Sequence, residues 1–212
     1  MKVVVLISGR GSNMQALLEA RLPVEFACVI SNRPDAAGLA TATAHRVPTA
    51  VIDHRQFPDR ARFDAALMAE IDLHQPDLVI LAGFMRVLSE GFVRHYENRL
   101  INIHPALLPA FPGLDTHARA LAAGVKLHGC TVHFVTAAVD AGPIIAQAAV
   151  PVLGDDTPDT LAARVLRQEH HLFPLAVRWL AEGRVQVGAN GTAQVRLDGT
   201  PPQDEALISP QG

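Results

Sequence analysis

Lys2–Asn13, KVVVLISGRGSN, decides the fold. Lys2–Ser8 is an aliphatic, largely β-branched run without polar alternation, as expected of a strand buried on both faces in a parallel sheet. Gly9-Arg10-Gly11-Ser12-Asn13 interrupts it, and MQALLEA follows with Met14, Leu17 and Leu18 at helical spacing. A strand, a glycine turn and a helix start present backbone N–H groups that can hold a phosphate. Ser12 or Asn13 is the expected N-cap. Met14 occupies the last position of G-x-G-x-x-G, and the Lys-Ser/Thr pair of a P-loop is missing. The turn therefore suits a monophosphate better than a dinucleotide. A plain βα turn without a ligand has the same pattern.

Outward from this unit the alternation repeats. Val24–Ser31 reads as a strand closed by Asn32-Arg33-Pro34-Asp35, and the alanine-rich segment Ala36–Arg46 as a helix. Thr49–Ile52 is a short strand. Asp59–His74 is an amphipathic helix with Phe63, Leu67 and Ile71 on one face, ended by Pro76. Asp77–Ala82 is again an apolar strand. Such βαβα order predicts an α/β fold with a mostly parallel twisted sheet, right-handed crossovers and a Rossmann-like N-terminal half. Ligands in these sheets sit beyond the strand C-termini. That rule gathers Gly9–Asn13, Gly83–Leu88 and Asn102–Pro105 at one edge. Gly83–Leu88 is apolar for a connection, so it is either a binding loop or a loop tucked under the helix Glu90–Tyr96.

Leu100–Gly113, LINIHPALLPAFPG, delivers the strongest chemical signal. Side chains alternate faces along a strand, so Ile101 and Ile103 face a core while Asn102 and His104 share the other side. Pro105 ends the strand, and Pro109 and Pro112 stiffen the loop that follows. Thr116–Ala123 reads as a helix stopped by Gly124. Gly129–Val135 is a strand with Thr131, His133 and Val135 on one face, and Ile144–Val152 is the next. Between them lies Asp140, before Ala-Gly-Pro, in a context that also fits plain turn chemistry. Asp156 or Thr157 caps a last long helix, with an apolar stripe of Ala162, Val165, Leu166, Leu172, Phe173, Ala176, Val177 and Leu180. Glu169 falls within that stripe, where a carboxylate requires a cation or ligand groups, and Pro174 is expected to kink the helix. Arg184–Leu197 reads as a hairpin around Asn190-Gly191. Pro201–Gly212 is a polar tail.

The 212 residues carry 18 basic and 21 acidic side chains, net charge −3, and 49% hydrophobic content. That is enough for a sizeable core. The absence of a basic run argues against a nucleic-acid partner. Apolar runs such as Leu78–Ala82 are far short of a membrane span of about 20 residues. The N-terminal apolar run is too short for a signal peptide. Cys28 and Cys130 fit a reduced, buried state, so a cytoplasmic location is expected. His104, His117, His128 and His133 raise the alternative of a metal hydrolase. They lack close ligand spacing, so no metal is expected.

SGRGSN (Ser8–Asn13), LAGFMRVLS (Leu81–Ser89), NIHPALLPAFPG (Asn102–Gly113), GCTVHFVTAAVDAGPII (Gly129–Ile145) and QEHHLFP (Gln168–Pro174) together resemble the phosphoribosylglycinamide formyltransferase family. The resemblance implies the formyltransferase fold in one domain over 1–212: a phosphate-binding half at 1–100, a catalytic and folate half at 101–183, and the hairpin and tail at 184–212. It implies transfer of a formyl group from 10-formyltetrahydrofolate, as co-substrate, to the amine of glycinamide ribonucleotide in purine synthesis. Asn102, His104 and Asp140 match the family's catalytic trio. Gly11, Ser12 and Asn13 match its phosphate turn, with Ile103, Pro105 and Glu169 lining the acceptor site. Met85, Arg86, Val87 and Leu88 match the pterin segment, where Asn102 also contributes, and Arg60 an arginine near the folate. Leu166 stands where relatives often carry a polar or basic residue near the phosphate. Asp115 is given no role. The expected chemistry is direct amine attack, with Asn102 and protonated His104 as donors to the developing oxyanion and Asp140 passing a proton through water. Neither a covalent enzyme intermediate nor a metal is expected. A monomer or weak homodimer is expected, without nucleic acid or membrane. The relatives that formylate initiator tRNA or hydrolyse formyl-folate carry further domains that this sequence is not expected to hold. A non-enzymatic nucleotide-binding module would leave Asn102, His104, Asp140 and Glu169 unexplained.

Overall fold

The computed structural model describes residues 1–196. β1 (Lys2–Ile7), β2 (Glu25–Ser31), β3 (Thr49–Val51), β4 (Leu78–Leu81), β5 (Leu100–His104), β6 (Leu127–Phe134) and β7 (Ile144–Pro151) form one sheet in the order β3-β2-β1-β4-β5-β6-β7. The strands from β3 to β5 run parallel, whereas β6 and β7 pair antiparallel. The apolar β1 is the middle of the five parallel strands, where both its faces and both its edges are covered. Val3, Val5 and Ile7 face one core and Val4 and Leu6 the other.

The first core is closed by α1 (Ser12–Glu19), α2 (Gly38–Ala44), α5 (Thr116–Ala123) and α6 (Pro158–Ala181) through Met14, Leu17, Ala42, Ala120, Val165 and Phe173. The second is closed by α3 (Arg60–Leu73) and α4 (Glu90–His95) through Phe63, Leu67, Ile71 and Phe92. β2 and β4 flank β1 on opposite sides, so the crossovers diverge there and open a crevice at the strand C-termini. β8 (Val185–Val187) and β9 (Ala193–Val195) make a separate hairpin. Leu197 and the tail Pro201–Gly212 lie outside the described residues. No described helix is long and apolar enough to cross a membrane.

The expectations for the α1 cap and the α6 stripe change. Gly11, not Ser12 or Asn13, precedes the first turn of α1; it has φ +73°, and no side chain caps the helix. A Cβ on Gly11 would lie 3.0 Å from the Gly38 Cα, so the glycine also permits the close approach of α2. α6 remains helical on both sides of Pro174, which is buried, and Thr157 caps it in a reciprocal box with Thr160. Its buried stripe uses Leu161 in place of Ala162, while Leu166 and Leu180 stay half-buried.

A buried hydroxyl anchors the start of the proline loop after β5. Thr131 Oγ1 donates to the Ala106 carbonyl at 2.7 Å and accepts from the Leu108 N–H at 3.0 Å and the Gln147 amide at 2.9 Å. Thr131→Val keeps the volume but strands buried backbone groups. It is expected to cost about 3 kcal/mol in urea unfolding, because each such group carries its full desolvation penalty.

Candidate active site

β1, β2 and β4 are tied together where they end. Ser8 Oγ donates to Asn32 Oδ1 at 2.6 Å and accepts the Met85 N–H at 2.7 Å. The second bond fixes the start of the loop after β4. Phe84 is buried beneath that loop, while Met85 and Val87 are 70% and 57% exposed. Part of the loop is thus tucked in and part presents bare apolar surface at the strand ends. Ser89 N–H donates to the buried Asp64 at 2.7 Å, which brings the first turns of α3 beside the same loop. Arg60 opens that helix and is exposed, as is Arg86.

β5 places Asn102 and His104 on one face, and Ile103 turns its side chain into the core. Ile103 therefore offers the strand end its backbone alone, followed by the half-buried Pro105. Across the antiparallel pair, Asn102 stands opposite His133 and His104 opposite Thr131. His133 thereby enters the site. Its Nδ1 lies 2.8 Å from the Phe134 carbonyl, which only accepts, so Nδ1 carries the hydrogen. Burial pushes the His133 pKa down, leaving the neutral ring with Nε2 as acceptor, 3.4 Å from the Asn102 amide nitrogen. This contact orients Asn102.

His104 is 5% exposed. Its Nε2 lies 2.9 Å from the Phe111 carbonyl and its Nδ1 3.3 Å from Asp140 Oδ2. The Phe111 carbonyl only accepts, so Nε2 carries a hydrogen toward it, and Nδ1 faces the Asp140 carboxylate. Phe111 has φ +55°, unusual for a bulky residue, and this turns its carbonyl onto His104. Arg119 secures the same loop, donating to the Pro112 and Leu114 carbonyls with its guanidinium over the Phe111 ring. Asp140, itself at φ +51°, accepts the Gly113 N–H at 2.9 Å, and its other oxygen lies 3.7 Å from His133 Nε2. The Asp140 loop and the proline loop are thus joined through one carboxylate.

Glu169, 7% exposed on α6, accepts from the Asn13 amide at 2.6 Å. Its partner within the chain is a neutral amide rather than a cation. Burial raises the Glu169 pKa, against the opposing effects of Asn13 and the nearby His104. Asn13 therefore links the glycine turn of β1 to α6. The half-buried Gly11 and Ser12 sit at the uncapped start of α1 beside it, and Leu166 is half-buried one turn before Glu169.

His128 lies under the proline loop, 1% exposed, against the rings of Phe111 and His117. Neither of its ring nitrogens finds a hydrogen bond. Burial, helped by His117, lowers its pKa from 6.5 to about 4. Between those values the unfolded chain takes up a proton that the folded chain excludes. Stability therefore falls as pH drops through this window and levels off below about 4. The expected loss is on the order of 3 kcal/mol. Urea midpoints at pH 7, 6 and 5 should show this fall, and His128→Phe should flatten the dependence.

Residues 1–177 match the family model described as formyl transferase. The chain is 47% identical over 212 residues to phosphoribosylglycinamide formyltransferase of Escherichia coli, covering 97% of this chain and 99% of that protein. It is 48% identical over 194 residues to the trifunctional purine biosynthetic protein adenosine-3 of Gallus gallus, covering 90% of this chain and 19% of that protein. Among solved structures, glycinamide ribonucleotide transformylase 1 from Symbiobacterium toebii superposes with a TM-score of 0.89 at 48% identity, covering 92% of this chain and 93% of that one.

Proposed function

Because this chain belongs to the formyl transferase family, we propose that it transfers a formyl group from 10-formyltetrahydrofolate to the amine of glycinamide ribonucleotide, in purine biosynthesis. The observation that carries the mechanism is the joining of Asn102, His104, His133 and Asp140 at the end of β5. As the amine attacks, the formyl oxygen gathers negative charge and needs fixed donors. Both nitrogens of His104 face protein acceptors, so it acts through its charge, and Asn102, braced by His133, is the direct donor. Asp140, 3.3 Å from His104 Nδ1, takes the proton leaving the amine, directly or through water.

The uncapped first turn of α1, with Gly11, Ser12 and Asn13, suits the acceptor's phosphate, because its N–H groups face no capping side chain and its first turn holds no acid. Met85, Arg86, Val87 and Leu88 suit the pterin, as their apolar surface is exposed at the strand ends, with Arg60 near them for the folate's acidic end. Residues 1–100 then supply the phosphate turn and the folate loop, and residues 101–183 the catalytic groups and Glu169. A cytoplasmic monomer or weak homodimer fits this role, and sedimentation measures the oligomeric state.

Glu169 suits polar hydrogens of the acceptor. Since its pKa is raised on folding, its stability contribution is complete below the unfolded value and is lost as pH rises through the folded one. Glu169→Gln can still accept from Asn13. It is expected to raise Tm at neutral pH while raising KM for glycinamide ribonucleotide by about tenfold, through the lost charge-assisted bond. Formyl transfer assayed with both substrates tests the whole reading, and no turnover by the wild-type chain would remove it.

A further inference from the structure

On the opposite face of the sheet from α6, Cys28 of β2 meets Glu70 and His74 from the end of α3. One donor atom from each residue lies within 4.8 Å of the other two. We propose that Cys28, Glu70 and His74 form a binding site for a single zinc-class divalent cation that ties β2 to the last turn of α3.

Glu70 and His74 are four residues apart, so one helical face carries both. His74 Nε2 lies 3.5 Å from Glu70 Oε1. A tetrahedral zinc with bonds of about 2.0–2.3 Å sets neighbouring ligand atoms about 3.3–3.7 Å apart. The nitrogen–oxygen pair already meets that spacing, and the sulfur lies within 4.8 Å of both.

The His74 nitrogen is itself unusual: it is shielded from solvent and makes no hydrogen bond, although it points toward a carboxylate. A cation between the three atoms would satisfy it. Cys28 is 1% exposed, whereas the Glu70 and His74 side chains keep about a quarter of their surface, 27% and 24%. An ion therefore enters past the helix end and keeps a water as its fourth ligand. Thiolate, imidazole and carboxylate together favour zinc or cobalt over magnesium or calcium, which prefer all-oxygen shells.

Without a metal the thiol is held protonated: burial and the Glu70 carboxylate push its pKa up to about 11. Binding must therefore break the S–H bond, form a metal–sulfur bond and release one proton to solvent. Asp64, whose contact with Ser89 lies toward the active-site end of α3, is about 9 Å from Glu70 and about 15 Å from His74 along the helix axis, at ~1.5 Å per residue. The site is thus a clamp separate from the formyl-transfer chemistry.

Cobalt(II) chloride titrated into the full reduced chain tests this. The expected result is one ion bound per chain, thiolate-to-cobalt charge transfer in the near ultraviolet, one proton released, and displacement by zinc. Cys28→Ala should abolish the charge-transfer band and Cys130→Ala should retain it. Should the buried Cys28 substitution fail to fold, His74→Gln at the half-exposed helix end provides the same test. His74→Gln should weaken binding about a hundredfold, because a site with three protein ligands loses its only nitrogen donor. Zinc should raise Tm in the wild type and not in His74→Gln. The proposal is overturned if the wild type shows no charge-transfer band, if the band survives in Cys28→Ala, or if His74→Gln binds like the wild type.

Discussion

Asp140→Asn is expected to lower kcat by about a thousandfold, within the range a positioned acid–base group contributes, while KM for either substrate changes little. The carboxylate does three things at once. It holds the proline loop through the Gly113 N–H, faces His104 Nδ1 at 3.3 Å, and lies near His133. An asparagine can still accept the Gly113 bond, so the loops stay joined and the urea midpoint should move little. What it loses is the negative charge. His104 then has no counter-charge and the attacking amine no proton acceptor. Steady-state kinetics paired with an unfolding curve separates the two roles. A variant retaining more than a tenth of wild-type kcat would show that the proton leaves by another route.

The second large effect falls on Asn102. Asn102→Ala removes the amide that β5 aims and His133 orients. Loss of one oxyanion donor costs about a hundred- to a thousandfold in kcat. The loss should appear almost wholly in kcat, because a donor to developing charge does little for the bound ground state. An equal rise in KM with kcat preserved would make Asn102 a binding group. His133→Ala should produce a smaller fall in kcat, of about tenfold, since it removes the brace and leaves the donor.

How much of this was legible beforehand follows the physics of each feature. The parallel half was readable because β1, β2 and β4 are continuous apolar runs whose ends carry turn residues. Asn102 and His104 on one face required only the period of a strand. His133 was readable as a strand histidine, but its place beside Asn102 depends on the register of β5 against β6, which no local pattern encodes. The Phe111 carbonyl and the Thr131 hydroxyl were invisible for a related reason: their roles arise from loop geometry and burial. Glu169 was conspicuous as a carboxylate in an apolar stripe, yet its partner, Asn13, lies far away in sequence. Cys28 likewise meets Glu70 and His74 only because β2 and α3 pack together.

The central position of β1 has a consequence for how the protein is made. It leaves the ribosome before the other strands of its sheet, yet one of its edges is completed only by β4, whose last residue is Leu81. Until then a nascent chain carries VVVLI with an open hydrogen-bonding edge, the kind of segment that recruits other strands. Fragments ending before Leu78 should therefore aggregate, or demand a chaperone, more than longer ones. The strand that anchors the finished sheet is thus its most exposed liability during translation.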